Sequence, residues 1–179
     1  MRTMVIWCPD WPVHAALQSA LHAGSEPIGA GAPVALFDSA KVYACSAAAR
    51  SEGVRRGLRM RDAQSRCPDL VTLAYDAALD VRAFEPALAA VEQISPGVQM
   101  LRPGTCALRA KGPSRYYGGE REAAAVIAER LVGLGVTDCR FGVADGPFAA
   151  EQAARTSDPQ DSVVVEAGGS GSFLAPLPV

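Results

Sequence analysis

Residues 33–73 constrain the fold more than any other part of the chain. Two apolar runs, 34–37 and 41–45, flank Asp38-Ser39-Ala40, which is the pattern of a hairpin. Ser46 stands where a helix N-cap belongs, its oxygen able to accept from the free N–H groups of the first turn. Ala47, Ala48, Ala49 and Arg50 favour helix. Gly53 ends it, because glycine takes the left-handed cap conformation at little cost. A basic stretch follows, with Arg55, Arg56, Arg59, Arg61 and Arg66, and Cys67-Pro68 precedes the next apolar run. With Arg50 these are six arginines against Glu52 and Asp62, a local balance of +4 in a chain whose net charge is −2, so the rest carries −6. Taken alone, the stretch reads either as a solvated face or as a phosphate-contacting surface.

The remaining chain sets this stretch inside a larger pattern. Residues 4–7 form a short apolar run ended by Pro9, a buried strand. Residues 11–21 have helical spacing, with Pro12 tolerated in the first turn, and 24–31 form a Gly/Pro-rich loop. Within 76–94, Val81, Phe84, Leu88 and Val91 repeat at i, i+3, i+7 and i+10, one buried helix face. Residues 98–101 and 106–108 are short strands around Arg102-Pro103-Gly104-Thr105, and 111–119 is a loop containing Tyr116 and Tyr117. A helix over 120–134, a strand over 140–144, a helix from Pro147 to about Arg155 and a strand over 163–165 complete the order, with 168–172 as linker. Strand, insertion, helix, strand, strand, helix, strand is the split βαβ arrangement. The expected class is α+β, a ferredoxin-like antiparallel sheet with helices on one face and a small inserted domain.

Composition excludes several classes. Hydrophobic residues make up 49%, ample for a core, yet no apolar run reaches the eighteen residues of a membrane span. The first apolar run stops at Pro9-Asp10, too early for a signal peptide. Five scattered cysteines with no Cys-x-x-Cys pair, and His14 and His22 as the only histidines, argue for reduced cytoplasmic thiols and against zinc. No metal and no cofactor is expected.

The order of parts from the hairpin to Cys67-Pro68 resembles the fingers of Y-family (UmuC/DinB-type) translesion DNA polymerases. That family follows its hairpin with Ser/Thr-Tyr-Glu-Ala-Arg, then Gly-Val, a basic residue, Gly and Met, then Cys-Pro before a strand. Here stand Ser46-Ala47-Ala48-Ala49-Arg50, Gly53-Val54, Arg56-Gly57-Leu58 and Cys67-Pro68. The opening Trp7-Cys8-Pro9-Asp10-Trp11-Pro12-Val13 looks closer still to the ImuB branch, a catalytically degenerate polymerase-like group. The resemblance implies a discontinuous palm over 1–10 and 74–170, fingers over 11–73, and the start of a truncated thumb over 171–179.

It also implies where chemistry should lie. The family's metal-binding carboxylates fall, by alignment, on Cys8, Gly104 and Thr105, with Asp10 at a second, less critical position. A thiol is a poor ligand for magnesium, and no Asp or Glu lies between Gln93 and Gly119. Ala47 replaces the family's Tyr and Pro147 its triphosphate-contacting Lys, while Arg50 keeps the Arg. The expectation is therefore a protein without enzymatic activity, binding damaged DNA weakly through phosphate contacts of Arg50, Arg55, Arg56 and Arg59, or serving as adaptor. The full-length family implies an active C-family polymerase, the sliding clamp and a RecA-like accessory protein as partners. Two alternatives stay open: an active translesion polymerase with displaced carboxylates such as Asp10 and Glu92, and a truncated remnant without function.

Overall fold

In the computed structural model, which describes residues 1–29 and 31–177, sixteen elements are formed. In chain order they are β1 (Arg2–Trp7), α1 (Trp11–His22), β2 (Val34–Asp38), β3 (Lys41–Cys45), α2 (Ala47–Ser51), α3 (Met60–Arg66), β4 (Val71–Ala74) and α4 (Ala77–Ile94). There follow β5 (Gln99–Arg102), β6 (Thr105–Arg109), α5 (Lys111–Tyr117), α6 (Glu120–Val132), β7 (Arg140–Asp145), α7 (Pro147–Thr156), β8 (Ser162–Val164) and α8 (Ser170–Leu174). The chain divides into two compact units, Met1–Pro9 with Phe84–Val179 and, inserted, Asp10–Ala83. The division falls inside α4, near Pro86, whose missing N–H leaves a gap in the helical ladder. The inserted unit thus runs to Ala83, past the expected Leu73.

The first unit holds a five-stranded sheet, order β5-β6-β1-β7-β8. β1 lies antiparallel to both β6 and β7, as the split βαβ pattern requires. The edge differs from the expected antiparallel sheet: β8 runs parallel to β7, joined through α7 as crossover. The expected single covered face is corrected as well. The central strands read buried at every interior position rather than alternately, because both faces are covered. On one face, Val5 and Ala144 pack against Ala149, Ala150, Ala153 and Ala154 of α7. Those alanines let α7 come very close: a Cβ on Gly142 would lie 2.0 Å from the Ala150 carbonyl oxygen and 2.2 Å from the Ala154 nitrogen.

The inserted unit has a three-stranded sheet, order β3-β2-β4, with β2 antiparallel to β3 and parallel to β4. The β2–β3 turn places Ser39 and Ala40 at φ 49° and 66°, both left-handed as a two-residue hairpin turn demands.

Several expectations are corrected. Residues 111–117 are helix, not loop. Residues 168–172 are not a free linker: the Gly168 N–H donates to Asp145 Oδ2 at 2.6 Å, the Asp145 N–H donates to Ser170 Oγ at 3.2 Å, and α8 begins at Ser170. Val81 is 39% exposed while Asp80 is buried. The expected start of a thumb, 171–179, reaches residues 178–179, which lie outside the described residues, as does Ala30 of the loop over 24–31.

Candidate nucleic-acid interface

Ser46 organises the basic segment of the inserted unit. Its hydroxyl accepts from the N–H groups of Ala49 (3.2 Å) and Val34 (3.0 Å) and donates to the Ala32 carbonyl (3.3 Å). One side chain therefore caps α2 and ties it to the start of β2. Gly53 follows at φ 85°, and the chain then runs back along β3. Gly57 N–H donates to the Val42 carbonyl (2.8 Å), Val42 N–H to Leu58 (2.9 Å) and Met60 N–H to Ala40 (3.0 Å). Val54 is fully buried, and Leu58 and Met60 pack against the same core. The alternate residues Arg55, Arg56 and Arg59 are thereby left exposed.

The arginines are held unequally. The Arg55 guanidinium donates to the carbonyls of Arg50 and Val54, and that of Arg66 to Gly53 (3.0 Å). Arg56 lies 4.7 Å from the centre of the Tyr43 ring, which stacks on Tyr75 at 3.6 Å. Burial, first of all, and the neighbouring Tyr43 and Asp80 hold the Tyr75 phenol protonated far above its ordinary range. Arg59 caps the approach to α3 and has no side-chain partner among the described residues. Tyr43 was missed from the sequence; its signal was an aromatic residue at an outward position of β3, beside the arginine run.

Arg50 stands apart from the other three. Its two terminal nitrogens meet Asp10 Oδ1 and Oδ2 at 2.7 Å each, and one also donates to the Cys45 carbonyl at 2.6 Å. The Asp10 hydrogen bonds raise the Arg50 pKa above its ordinary value against the opposing effect of burial. The structure thus sets Arg55 against the Arg50 carbonyl and Arg56 over Tyr43, and gives Arg50 a carboxylate partner that forty residues of sequence separation concealed.

In the first unit, the three aligned positions converge at one end of the sheet. Trp7 lies opposite Thr105, and the Cys8 N–H donates to the Gly104 carbonyl at 2.8 Å. Thr105, Cys106 and Cys139 are at most 1% exposed and Cys8 is 4% exposed. Burial, helped by Cys139, Cys106 and Asp138, pushes the Cys8 thiol far above its ordinary range. A protonated thiol, a glycine and a threonine do not fit a pair of hard divalent cations. Among the described residues no group of three or more His, Cys, Asp or Glu is placed to hold a metal. Nearby cations are already engaged: Arg102 and Arg155 share Glu151, and Arg140 and Arg155 lie over Trp7 at 5.6 and 4.9 Å.

This frame is shared with solved DNA polymerases. The post-insertion binary complex of Dbh DNA polymerase superposes with a TM-score of 0.80 at 15% identity, covering 100% of this chain and 52% of that one. DinB from Sulfolobus solfataricus gives 0.67 at 15%, covering 92% and 48%, and a Y-family DNA polymerase chimera gives 0.69 at 12%, covering 92% and 49%. At such identities the likeness establishes the fold. The chain belongs to the impB/mucB/samB family, which matches residues 16–155. Among curated proteins it is 29% identical over 157 residues to "DNA polymerase IV 2" of Mesorhizobium japonicum, covering 86% of this chain and 37% of that protein. It is 26% identical over 138 residues to "DNA polymerase IV" of Dehalococcoides mccartyi, covering 77% and 35%. The chain spans little more than a third of the length of these relatives.

These relatives correct one expectation. The absence of enzymatic activity was inferred from Cys8, Gly104 and Thr105, yet the curated relatives are named as DNA polymerases. The protein is a Y-family DNA polymerase-like member of that family. Among the described residues no helix is long and apolar enough to cross a membrane.

Proposed function

We propose that the two units are the palm and fingers of a cytoplasmic translesion DNA polymerase. The fingers hold a primer–template through phosphate contacts of Arg55, Arg56 and Arg59, and Arg50 is offered to a nucleotide phosphate. The observation that carries the reading is the exposed arginine return along β3, built on the frame that the Dbh complexes share over the whole chain. Guanidinium groups pair with phosphate oxygens and displace condensed counterions, so such binding is independent of sequence and sensitive to salt. DNA synthesis is proposed for the complete protein, and no step of it is assigned to Cys8, Gly104 or Thr105. The sliding clamp, a C-family polymerase and a RecA-like protein are proposed partners of that complete protein.

Primer extension by the complete protein on a lesion-bearing template, with magnesium or manganese, tests the reading. Template-dependent extension is expected. Tight primer–template binding without any extension would overturn the polymerase reading and leave a DNA-holding adaptor.

A further inference from the structure

The palm sheet has a second polar end. In the β1–β6 register Trp7 faces Thr105, whereas Thr3 faces Arg109. Arg109 and α5 after it therefore stand at the end of the sheet away from Cys8. A cavity of about 560 Å³ opens there, lined by Arg2, Arg109, Lys111, Ser114, Arg115 and Glu120. A neighbouring one of about 500 Å³ shares Arg109, Lys111 and Arg115 and adds Tyr116.

The charges here are not balanced. Glu120 is taken by Arg2, with Nε at 3.0 Å and Nη2 at 2.6 Å from its two oxygens. Arg109, Lys111 and Arg115 are exposed and form no ion pair among the described residues. Like charges gathered on one short helix and the strand before it repel, and an anionic ligand seated among them relieves that more fully than solvent and salt do. Beside them Tyr116 is 82% exposed, touching Tyr117 edge-on at 4.8 Å. A lone exposed ring is ordinary. A ring beside three unpaired cations supplies both contacts that a single strand uses, phosphate pairing and base stacking. A duplex keeps its bases stacked on one another, and an acidic peptide uses the cations without the ring.

We infer that this edge of the palm binds single-stranded nucleic acid, with Arg109, Lys111 and Arg115 on the phosphates and a base on Tyr116. The site is independent of the arginine return on the fingers and of the polymerase reading.

The test uses the full chain carrying Arg55→Ala, Arg56→Ala and Arg59→Ala, so that the fingers do not mask the palm. An oligothymidylate bearing 5-iodouracil is irradiated with it and adducts are mapped by mass spectrometry. An adduct on the tryptic peptide bearing Tyr116 and Tyr117 is expected. Lys111→Glu with Arg115→Glu should abolish it and make the log–log salt slope of binding shallower by about 0.7 for each phosphate no longer paired. Tyr116→Ala should weaken binding about fivefold or more, the effect of removing one stacked base. All three residues are exposed, so circular dichroism should not change. Adducts confined to other peptides, or a charge-reversed double variant binding like its parent, would overturn the inference. Unchanged binding in Tyr116→Ala, with tripolyphosphate or polyglutamate competing as well as the oligonucleotide, would overturn it too, leaving a plain anion site.

Discussion

The strand end of the palm and the arginine return of the fingers are built on similar frames, a strand bonded to a neighbour through a tight turn, and use their side chains in opposite directions. At the palm end everything turns inward. Cys8, Thr105, Cys106 and Cys139 are buried, the thiols are held protonated, and the nearby arginines are matched by Glu151, Asp138 or the Trp7 ring. On the fingers the core takes Val54, Leu58 and Met60, and Arg55, Arg56 and Arg59 turn outward. Arg55 contacts main-chain carbonyls and Arg56 a tyrosine ring, and among the described residues none of the three meets a carboxylate. A carbonyl steers a guanidinium without cancelling its charge, so Arg55 keeps its positive charge uncompensated, whereas Arg102, Arg140 and Arg155 are each matched by a carboxylate. The frame alone does not assign the chemistry; the direction each side chain takes does.

The sharpest way to break this contrast is to disturb the packed region. Gly142→Ala places a Cβ about 2 Å from backbone atoms of α7, and backbone cannot rotate aside as a side chain can. A loss of about 3 kcal/mol of stability or more is expected, read as a lower urea midpoint. Arg55→Ala with Arg56→Ala and Arg59→Ala should move that midpoint hardly at all. Equal effects from the two changes would mean that the palm packing is looser than the geometry describes.

A second break comes from alkali. Burial, before any other cause, pushes Cys106 up to about 12 and Cys139 up to about 11, and Cys8 higher still. Raised folded values mean stability that is fully present below the unfolded thiol pKa, near 8.5, and is lost as pH rises through the folded values. The loss is expected between about pH 9 and pH 12, with a slope of up to about −1.4 kcal/mol per pH unit for each thiol. Urea midpoints across that range, in wild type and in Cys139→Ala, should diverge, with the variant flatter. Parallel lines would show that the Cys139 thiol ionises in the folded protein as readily as in the unfolded one. Native-state alkylation should likewise be slow at all five buried cysteines.

How much of this was legible in the sequence follows from how local its causes are. The hairpin, the Ser46 cap and the Gly53 stop depend on neighbouring residues and are where the sequence places them, although the Ser39-Ala40 turn has neither Asn nor Gly to announce it. Helix α5 was hidden because Gly112 and Pro113 read as breakers. Pro113 sits in the first turn, where an N–H has no helical partner to lose. The ordering of residues 168–172 was hidden because it depends on Asp145, more than twenty residues away. On α4 Phe84 and Val91 are buried as the periodicity placed them, but at its start Val81 is exposed and Asp80 buried, the Trp11 indole N–H donating to the Asp80 carbonyl. At the candidate site, Cys8, Gly104 and Thr105 were grouped only through the family resemblance, and the β1–β6 pairing that brings them together came from the structure. The step from those residues to a protein without activity was not sound: it rested on three positions, and the relatives that match the chain over most of its length are named as DNA polymerases.

A third experiment sharpens the contrast from the exposed side. The arginine return should give DNA binding whose log–log salt slope is about −0.9 per duplex phosphate contacted. Replacing Arg55, Arg56 and Arg59 with Ala should flatten the slope by about that much for each phosphate left unpaired, read by fluorescence anisotropy across a salt titration. Identical slopes would make the arginines a solvated face and nothing more.

The smallest effect is expected at the pair that belongs to neither extreme. Asp10 and Arg50 form a two-pronged ion pair, yet their side chains are 31% and 41% exposed. Water and salt screen a pair in that position, so Asp10→Asn should lower stability by only about 0.5–1 kcal/mol. Its effect on binding should run the other way. Without the carboxylate the guanidinium loses its charged partner, keeps the Cys45 carbonyl, and gains room for phosphate. Binding of a deoxynucleoside triphosphate should therefore tighten by a few-fold in Asp10→Asn and be lost in the double variant with Arg50→Ala, measured by calorimetry beside a urea titration of each protein. Tightening that survives the loss of Arg50 would place the nucleotide elsewhere, and Arg50 would then be a structural clamp between α1 and α2, closer in kind to the inward-turned palm than to its neighbours Arg55 and Arg56.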